Sequence, residues 1–146
     1  MSCPYFDADD FHPAANIKKM ASGHPLTDVD RLPWLKQLRE IVDGHDGQKK
    51  AVLAYSALTV SFRSILGFGL PHVRSVLLDG PASLIARRLK MRKDHFMPTS
   101  LLRSQIALIE PEHGGLTLNI EQPPRALVQA TQHWLHSKER ANSNDS

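Results

Sequence analysis

Three carboxylates follow the short apolar run at residues 4–6 and are the first candidates for chemistry: Asp7, Asp9 and Asp10. In open α/β sheets, ligands bind beyond the carboxyl ends of the strands, so acids that directly follow a strand are well placed to meet a ligand. A carboxylate there can bind Mg²⁺ through water, or accept the proton of an attacking hydroxyl group. The alternative interpretation is a solvated acidic turn that caps the next helix.

A basic stretch at residues 88–98, RLKMRKDHFMP, is the second candidate. It contains four cations and a histidine: Arg88, Lys90, Arg92, Lys93 and His95. A mobile segment that closes over a transferred phosphate needs this composition, because the arginine fork matches phosphate oxygens. The alternative is a solvated, basic helix end that the helix dipole stabilises.

Arg31 is the third candidate, because it stands between Asp30 and the Leu-Pro-Trp turn at 32–34. A guanidinium group held in such a turn can bind a substrate carboxylate in bidentate fashion. A structural salt bridge to Asp28 or Asp30 explains the same pattern, and the residues alone do not separate the two interpretations.

Other kinds of site are not supported by the sequence. The eight histidines show no HxxxH or HxH spacing, which argues against zinc. Ser56 and Ser104 lack a G-x-S-x-G context, so a hydrolase triad is not indicated. The net charge is +3, but the basic residues are scattered apart from the cluster at 87–93, and we expect no nucleic-acid partner.

The elements that must position these residues alternate between strands and helices. Apolar runs predict strands at 51–54, 73–78 and 116–120, and a shorter one at 4–6. Short runs of this kind between helical patterns favour an α/β fold with a parallel sheet flanked by helices.

Helix signals lie between the predicted strands. Pro13 suits the first turn of a helix that Gly23 terminates. Thr27 with Asp30 makes a capping-box-like start for the next helix, in which Pro33 is expected to end or kink the first turn. Further helices are predicted to begin near residues 58, 81, 98 and 124.

The length of 146 residues predicts a single domain, which we assign to 1–136, followed by a polar and disordered tail at 137–146. Cys3 is the only cysteine, so no internal disulfide forms and a reducing compartment is allowed. No apolar run approaches 18 residues, and the N-terminus shows no targeting pattern. We expect a cytoplasmic protein that does not associate with membranes.

Taken together and in this order, several segments resemble the gluconokinase family of P-loop kinases. The motifs are FDADDFHP at 6–13, NIKKMASGHPLTDVDRLPWL at 16–35, YSAL at 55–58, LKMRKDHFMPTSLLRSQIALIEP at 89–111 and LNIEQPPRALV at 118–128. The resemblance implies a three-layer P-loop kinase-like fold, similar to shikimate and nucleoside-monophosphate kinases. It also implies transfer of the γ-phosphate of ATP to the 6-hydroxyl of D-gluconate, with Mg²⁺.

The resemblance also implies roles for individual residues on the gluconate side. Asp7 would approach Mg²⁺ through its water shell. Asp9 would hold the attacking hydroxyl group and take its proton. Arg31 would meet the carboxylate or hydroxyls of gluconate.

On the nucleotide side, the resemblance places Arg88 and Arg92 opposite the phosphates of ATP, and it places His95 over the sugar acid. Such kinases are often homodimers, so a homodimer is a possible assembly.

Departures from the family pattern accompany the resemblance. No G-x-x-x-x-G-K-[ST] motif occurs in the chain, which starts just before the family's second strand, so the sequence predicts an N-terminally truncated member. A non-catalytic isoform or pseudokinase that binds gluconate or a full-length partner is the alternative. The family's first strand lies between its third and fourth strands. The strands near 51 and 73 are therefore expected either to pair directly or to leave unpaired edges, and the monomer is expected to be less stable than a complete kinase.

Overall fold

The computed structural model describes residues 3–45, 49–56, 59–92, 101–110 and 114–144, and strands alternate with helices throughout them. In chain order the elements are β1 (Tyr5–Asp7), a 3₁₀ turn (Ala8–Phe11), α1 (Ala14–Ala21), α2 (Asp28–Asp43), β2 (Val52–Ala54), α3 (Val60–Ile65), β3 (Val76–Asp79), α4 (Ala82–Met91), α5 (Leu102–Ile106), β4 (Leu116–Asn119) and α6 (Pro124–Asn144). The predicted α/β class is confirmed.

The parallel sheet is divided into two pairs of strands. β1 pairs with β2, with Tyr5 opposite Val52, and β3 pairs with β4, with Val76 opposite Leu116. Within the described ranges no ladder joins β2 to β3. Of the two arrangements expected from the sequence, the one with unpaired edges is therefore observed.

Three of the four predicted strands lie within one residue of the observed bounds, but the strand predicted at 73–78 begins later, at Val76. The preceding residues form a turn instead. The Val73 N–H donates to the Leu70 carbonyl at 3.0 Å, and Arg74 Nη1 donates to the Pro71 carbonyl at 2.6 Å. These bonds bend the chain where the apolar pattern alone predicts extended backbone.

Local signals define the starts of the helices. Pro13 and Pro81 directly precede α1 and α4. α2 begins with a complete capping box, in which the Thr27 hydroxyl accepts from the Asp30 N–H and the Asp30 carboxylate accepts from the Thr27 N–H. Pro33 does not end the first turn, because α2 continues through it to Asp43. The kink expected as the alternative stays a prediction.

The core of the N-terminal half is built on α2. Trp34, Leu35 and Leu38 are almost completely buried, and they pack with Ala8 and Phe62. A fully buried side chain of this size contributes about 1.5–3 kcal/mol, so α2 is the main support for the turn that follows β1.

α6 is longer than expected, because the helix runs to Asn144 and so includes most of the segment predicted to be a disordered tail. Residues such as Lys138, Glu139 and Arg140 are good helix formers, which explains the extension. None of the helices in the part of the chain that the structure describes is long and apolar enough to cross a membrane.

Candidate functional site

The turn after β1 presents its acids at the carboxyl end of the strand. Asp7 caps the 3₁₀ turn, since its Oδ1 accepts from the Asp9 N–H at 3.0 Å. This bond fixes the backbone of Asp9, whose side chain remains 40% exposed. The Asp7 carboxylate is thus used to shape the turn, while the Asp9 carboxylate is presented toward solvent.

A stacked pair of rings supports this turn from below. The His12 imidazole lies on the Trp34 indole with the ring centroids 4.3 Å apart. Trp34 Nε1 donates to the Ala8 carbonyl at 2.7 Å, which ties α2 to the 3₁₀ turn. His12 Nε2 lies 4.0 Å from Asp9 Oδ1, so the stacked histidine also borders the exposed carboxylate.

His12 is an uncharged neighbour of Asp9 at neutral pH. Its side chain is only 4% exposed. Burial, together with the nearby Arg31 guanidinium, lowers the pKa of His12 from 6.5 to about 4. The contact between His12 and Asp9 is therefore not an ion pair near pH 7, and the imidazole acts there as a polar group without charge.

Arg31 reaches the same region from the first turns of α2. Its guanidinium lies 5.4 Å from the centroid of the Phe62 ring, in cation–π geometry. Its Nη1 also donates to Asp28 Oδ1 at 3.3 Å, so the predicted salt bridge is formed with Asp28. The Asp28 side chain is 80% exposed, whereas that of Arg31 is 14% exposed. The long bond to Asp28 uses one N–H of the Arg31 guanidinium, so other N–H groups of Arg31 can donate to a ligand.

Asp30, the other proposed partner of Arg31, joins α1 to α2. Its carboxylate accepts from Lys19 Nζ at 2.6 Å and from the Thr27 hydroxyl at 2.8 Å. The hydrogen bonds from Lys19 and then from Thr27 lower the pKa of Asp30 to about 2. The buried Asn16 adds a bond from its Nδ2 to the Asp30 carbonyl at 2.8 Å, so this start of α2 is firmly held.

The described residues of the basic stretch do not contact this turn. Arg88 is exposed on α4 and donates from Nη2 to the Ile120 carbonyl at 2.9 Å, while Arg92 is exposed at the end of α4. Neither arginine forms a hydrogen bond or ion pair with Asp9 or Arg31 in the ranges that the structure covers. His95 lies outside the described residues.

The side chains near this turn that could bind a metal ion support only a limited role in metal binding. Among the described residues there is no group of three or more histidine, cysteine, aspartate or glutamate side chains that could hold an ion. Asp7 has one oxygen engaged in the turn, so it fits an approach to Mg²⁺ through water and not a protein cage. Such an approach through water fits a metal ion whose other ligands are water and nucleotide phosphates.

His12 and Trp34 are the site residues that sequence reasoning missed. The spacing of the eight histidines argues only against zinc and gives His12 no other role, although its spacing of i,i+3 from Asp9 indicates a contact within one 3₁₀ turn. The stack of His12 on Trp34 depends on how α2 packs under the turn, and no local spacing reveals that contact.

Parallel strands alternating with helices, with acids at the carboxyl end of β1, define an open α/β fold, and solved sugar kinases share this fold. An unliganded sugar kinase from Janibacter sp. HTCC2649 superposes with a TM-score of 0.80 at 39% identity, covering 92% of this chain and 80% of that one. A gluconokinase from Sinorhizobium meliloti 1021 gives a TM-score of 0.72 at 34% identity, covering 97% and 80%.

Curated relatives narrow the class to a family. The chain is 39% identical over 132 residues to the thermoresistant gluconokinase of Escherichia coli K12, covering 87% of this chain and 75% of that protein. It is 41% identical over 111 residues to the thermosensitive gluconokinase of the same strain, and it spans 59% of that relative's length. No family model matches the chain. The chain belongs to the gluconokinase family.

Proposed function

We propose that this chain acts in the ATP-dependent phosphorylation of D-gluconate to 6-phospho-D-gluconate. In this proposal α1, α2 and the turn after β1 form the gluconate side, the part of the active site that binds gluconate. The cluster of Asp9, His12 and Arg31 is the observation that carries the proposal. It combines an exposed carboxylate with a mostly buried guanidinium group, and a sugar acid offers a hydroxyl group to the first and a carboxylate to the second.

In this proposal Asp9 receives the proton of the 6-hydroxyl as that oxygen forms its bond to the transferred phosphorus and ADP departs. Arg31 binds the gluconate carboxylate at the other end of the substrate. The stacked His12 and Trp34 keep the turn in place, so that Asp9 does not have to be reorganised during the reaction.

ATP supplies the phosphoryl group, and Mg²⁺ neutralises the charge that develops on it. Arg88 and Arg92 are our candidates for the ATP phosphates because both are exposed near the end of α4. His95 is our candidate for closing over the sugar acid, and Asp7 for contact with magnesium-bound water. We also propose that the protein is cytoplasmic, and the family resemblance makes a homodimer possible.

The direct test is isothermal titration of the full chain with D-gluconate, followed by a coupled assay of ADP release with ATP and Mg²⁺. We expect saturable gluconate binding that Asp9→Asn weakens at least tenfold. Asp43→Asn is the matched control, because Asp43 is exposed at the other end of α2 and pairs only with Arg39 in the described contacts.

The two measurements address different parts of the proposal. Absence of gluconate binding, or equal binding by both variants, would overturn the assignment of the gluconate side. Gluconate binding without ADP release would contradict phosphoryl transfer by this chain and support the non-catalytic alternative.

A further inference from the structure

The Phe62 ring is the firmer of two supports of the Arg31 guanidinium. The bond from Arg31 to Asp28 is long, 3.3 Å, and the Asp28 side chain is 80% exposed, so this ion pair contributes little. The guanidinium carbon lies 5.4 Å from the centroid of the Phe62 ring, and Phe62 is only 8% exposed. The position of Arg31 therefore depends on where α3 holds Phe62.

α3 is too short to hold Phe62 in place by its own hydrogen bonds. It comprises six residues, Val60–Ile65, and isolated helices shorter than about 12–15 residues are marginal in water. Contacts with the rest of the chain must therefore set the position of α3. At its C-terminal end, Arg39 Nη1 donates to the Ile65 carbonyl at 3.2 Å, which ties α3 to α2.

The N-terminal end of α3 is tied to Glu110, which lies 50 residues after Val60 in the chain. The Glu110 carboxylate accepts from the Val60 N–H, and the Glu110 carbonyl accepts from Arg63 Nη2 at 3.0 Å. The first N–H groups of a helix have no partner within the helix, and a negative charge is favourable beside them. Glu110 thus fixes α3 at two residues, one on each side of Phe62.

The two bonds of Glu110 come from different parts of the residue. Arg63 is buried, and its bond goes to the main-chain carbonyl, so this bond remains when the Glu110 side chain is removed. The carboxylate belongs to an exposed residue and holds only the first turn of α3. Its removal therefore frees the Val60 end of α3 while the buried contacts of the helix persist.

We propose that Glu110 is a positioning residue for gluconate binding. Its carboxylate holds the first turn of α3, and α3 in turn holds the Phe62 ring against the guanidinium of Arg31. Glu110 acts through α3 and does not bind the substrate. The inference rests on the proposed function, because it takes Arg31 as the group that binds the gluconate carboxylate.

Titration calorimetry of the full chain with D-gluconate tests the effect on binding. Glu110→Ala should raise the dissociation constant for gluconate about fivefold, because a displaced guanidinium loses part of its bonding to the carboxylate. Glu110→Gln keeps an acceptor oxygen for the Val60 N–H and should stay within about twofold of wild type. Glu40→Ala, at an exposed acidic position on α2, is the matched control and should bind gluconate as wild type does.

A double-mutant cycle separates positioning of Arg31 from a general effect on stability. In the Arg31→Lys background, Glu110→Ala should weaken gluconate binding by less than about twofold, because the fork that Glu110 positions is already absent. An equal loss in both backgrounds would overturn the proposal. Wild-type binding by Glu110→Ala, or equal weakening by Glu110→Ala and Glu110→Gln, would also overturn it.

NMR measures the order of Arg31 without gluconate. The heteronuclear NOE of the Arg31 Nε–H group reports motion on the ps–ns timescale, and the signal is assigned by its absence from Arg31→Lys. Glu110→Ala should lower this NOE and alter the ring-current shift from Phe62, whereas Glu40→Ala should change neither. An unchanged signal in Glu110→Ala would overturn the proposal. If the wild type binds no gluconate, the assignment of the gluconate side fails, and the NMR comparison still decides whether Glu110 positions Arg31.

Discussion

The imidazole of His12 lies flat on the indole of Trp34, with ring centroids 4.3 Å apart and ring planes inclined by 12°. This contact joins the turn after β1 to the middle of the N-terminal core. It places a neutral, buried histidine directly beside the one carboxylate to which we assign proton transfer. The stability of the site therefore depends on keeping that histidine uncharged.

Acidification should destabilise the protein through His12. The pKa of His12 is lowered to about 4 in the folded chain, against 6.5 for an unperturbed histidine. The unfolded chain therefore binds the proton first as the pH falls below 6.5, and the loss of stability is complete near pH 4. We expect the free energy of unfolding to fall by about 1–3 kcal/mol over this window, measured by urea denaturation at successive pH values.

The variant His12→Gln should flatten that pH dependence. His133→Gln, an exposed position on α6, should leave it unchanged. Protonation of Asp30 does not contribute to the loss of stability between pH 6.5 and 4. Its pKa of about 2 means that the stabilising effect of its carboxylate is lost only below about pH 4. An identical slope in wild type and His12→Gln would show that His12 is not the titrating group.

Trp34→Phe should destabilise the turn after β1. The substitution keeps most of the ring but removes the Nε1–H that donates to the Ala8 carbonyl at 2.7 Å. A buried acceptor left without a partner costs about 1–3 kcal/mol. Chemical denaturation followed by circular dichroism measures the loss, with Trp134→Phe on the half-buried face of α6 as the milder comparison.

The sequence predicted those features that depend on neighbouring residues. Strand positions followed from apolar runs, and the capping box of Thr27 and Asp30 followed from their spacing, because both are decided within a few residues. β3 starts later than the apolar pattern predicts, because that pattern does not reveal the hydrogen bonds of Arg74 that bend the preceding turn.

The site itself was only partly predictable. Asp9 and Arg31 are candidates by residue type and order, and their roles stay predictions. The stack of His12 on Trp34 and the contact of Arg31 with Phe62 arise from packing between distant elements. The neutrality of His12 likewise follows from burial, which no local spacing specifies.

Arg31→Lys should weaken gluconate binding while leaving the fold intact. Lysine retains the charge but lacks the planar fork that binds a carboxylate through two hydrogen bonds and stacks on Phe62. We expect the dissociation constant for gluconate, measured by titration calorimetry, to rise about tenfold, which corresponds to about 1.4 kcal/mol. Arg39→Lys, on the same helix and paired with Asp43, should bind gluconate as wild type does.

The capping box of α2 should make a measurable contribution to stability. Thr27→Ala removes the hydroxyl that accepts from the Asp30 N–H, and the loss of such a cap costs about 1 kcal/mol. Thr27→Ser retains the hydroxyl and should recover most of that stability. Thermal melts of the two variants provide the comparison, and equal melting temperatures would contradict a capping role.

Gly80 should be intolerant of a side chain, because this residue after β3 lies close to Ile120, the residue after β4. A Cβ at Gly80 would stand 2.5 Å from Ile120 Cγ1, which is closer than real contacts allow, and Ile120 is buried. Gly80→Ala should therefore cost about 1–3 kcal/mol through overpacking, measured by urea denaturation. At Gly44 an added Cβ would meet its nearest atom at 3.5 Å, an ordinary contact, so Gly44→Ala is the matched control. A Gly80→Ala variant as stable as Gly44→Ala would mean that β3 and the residues after β4 lie farther apart than the structure shows.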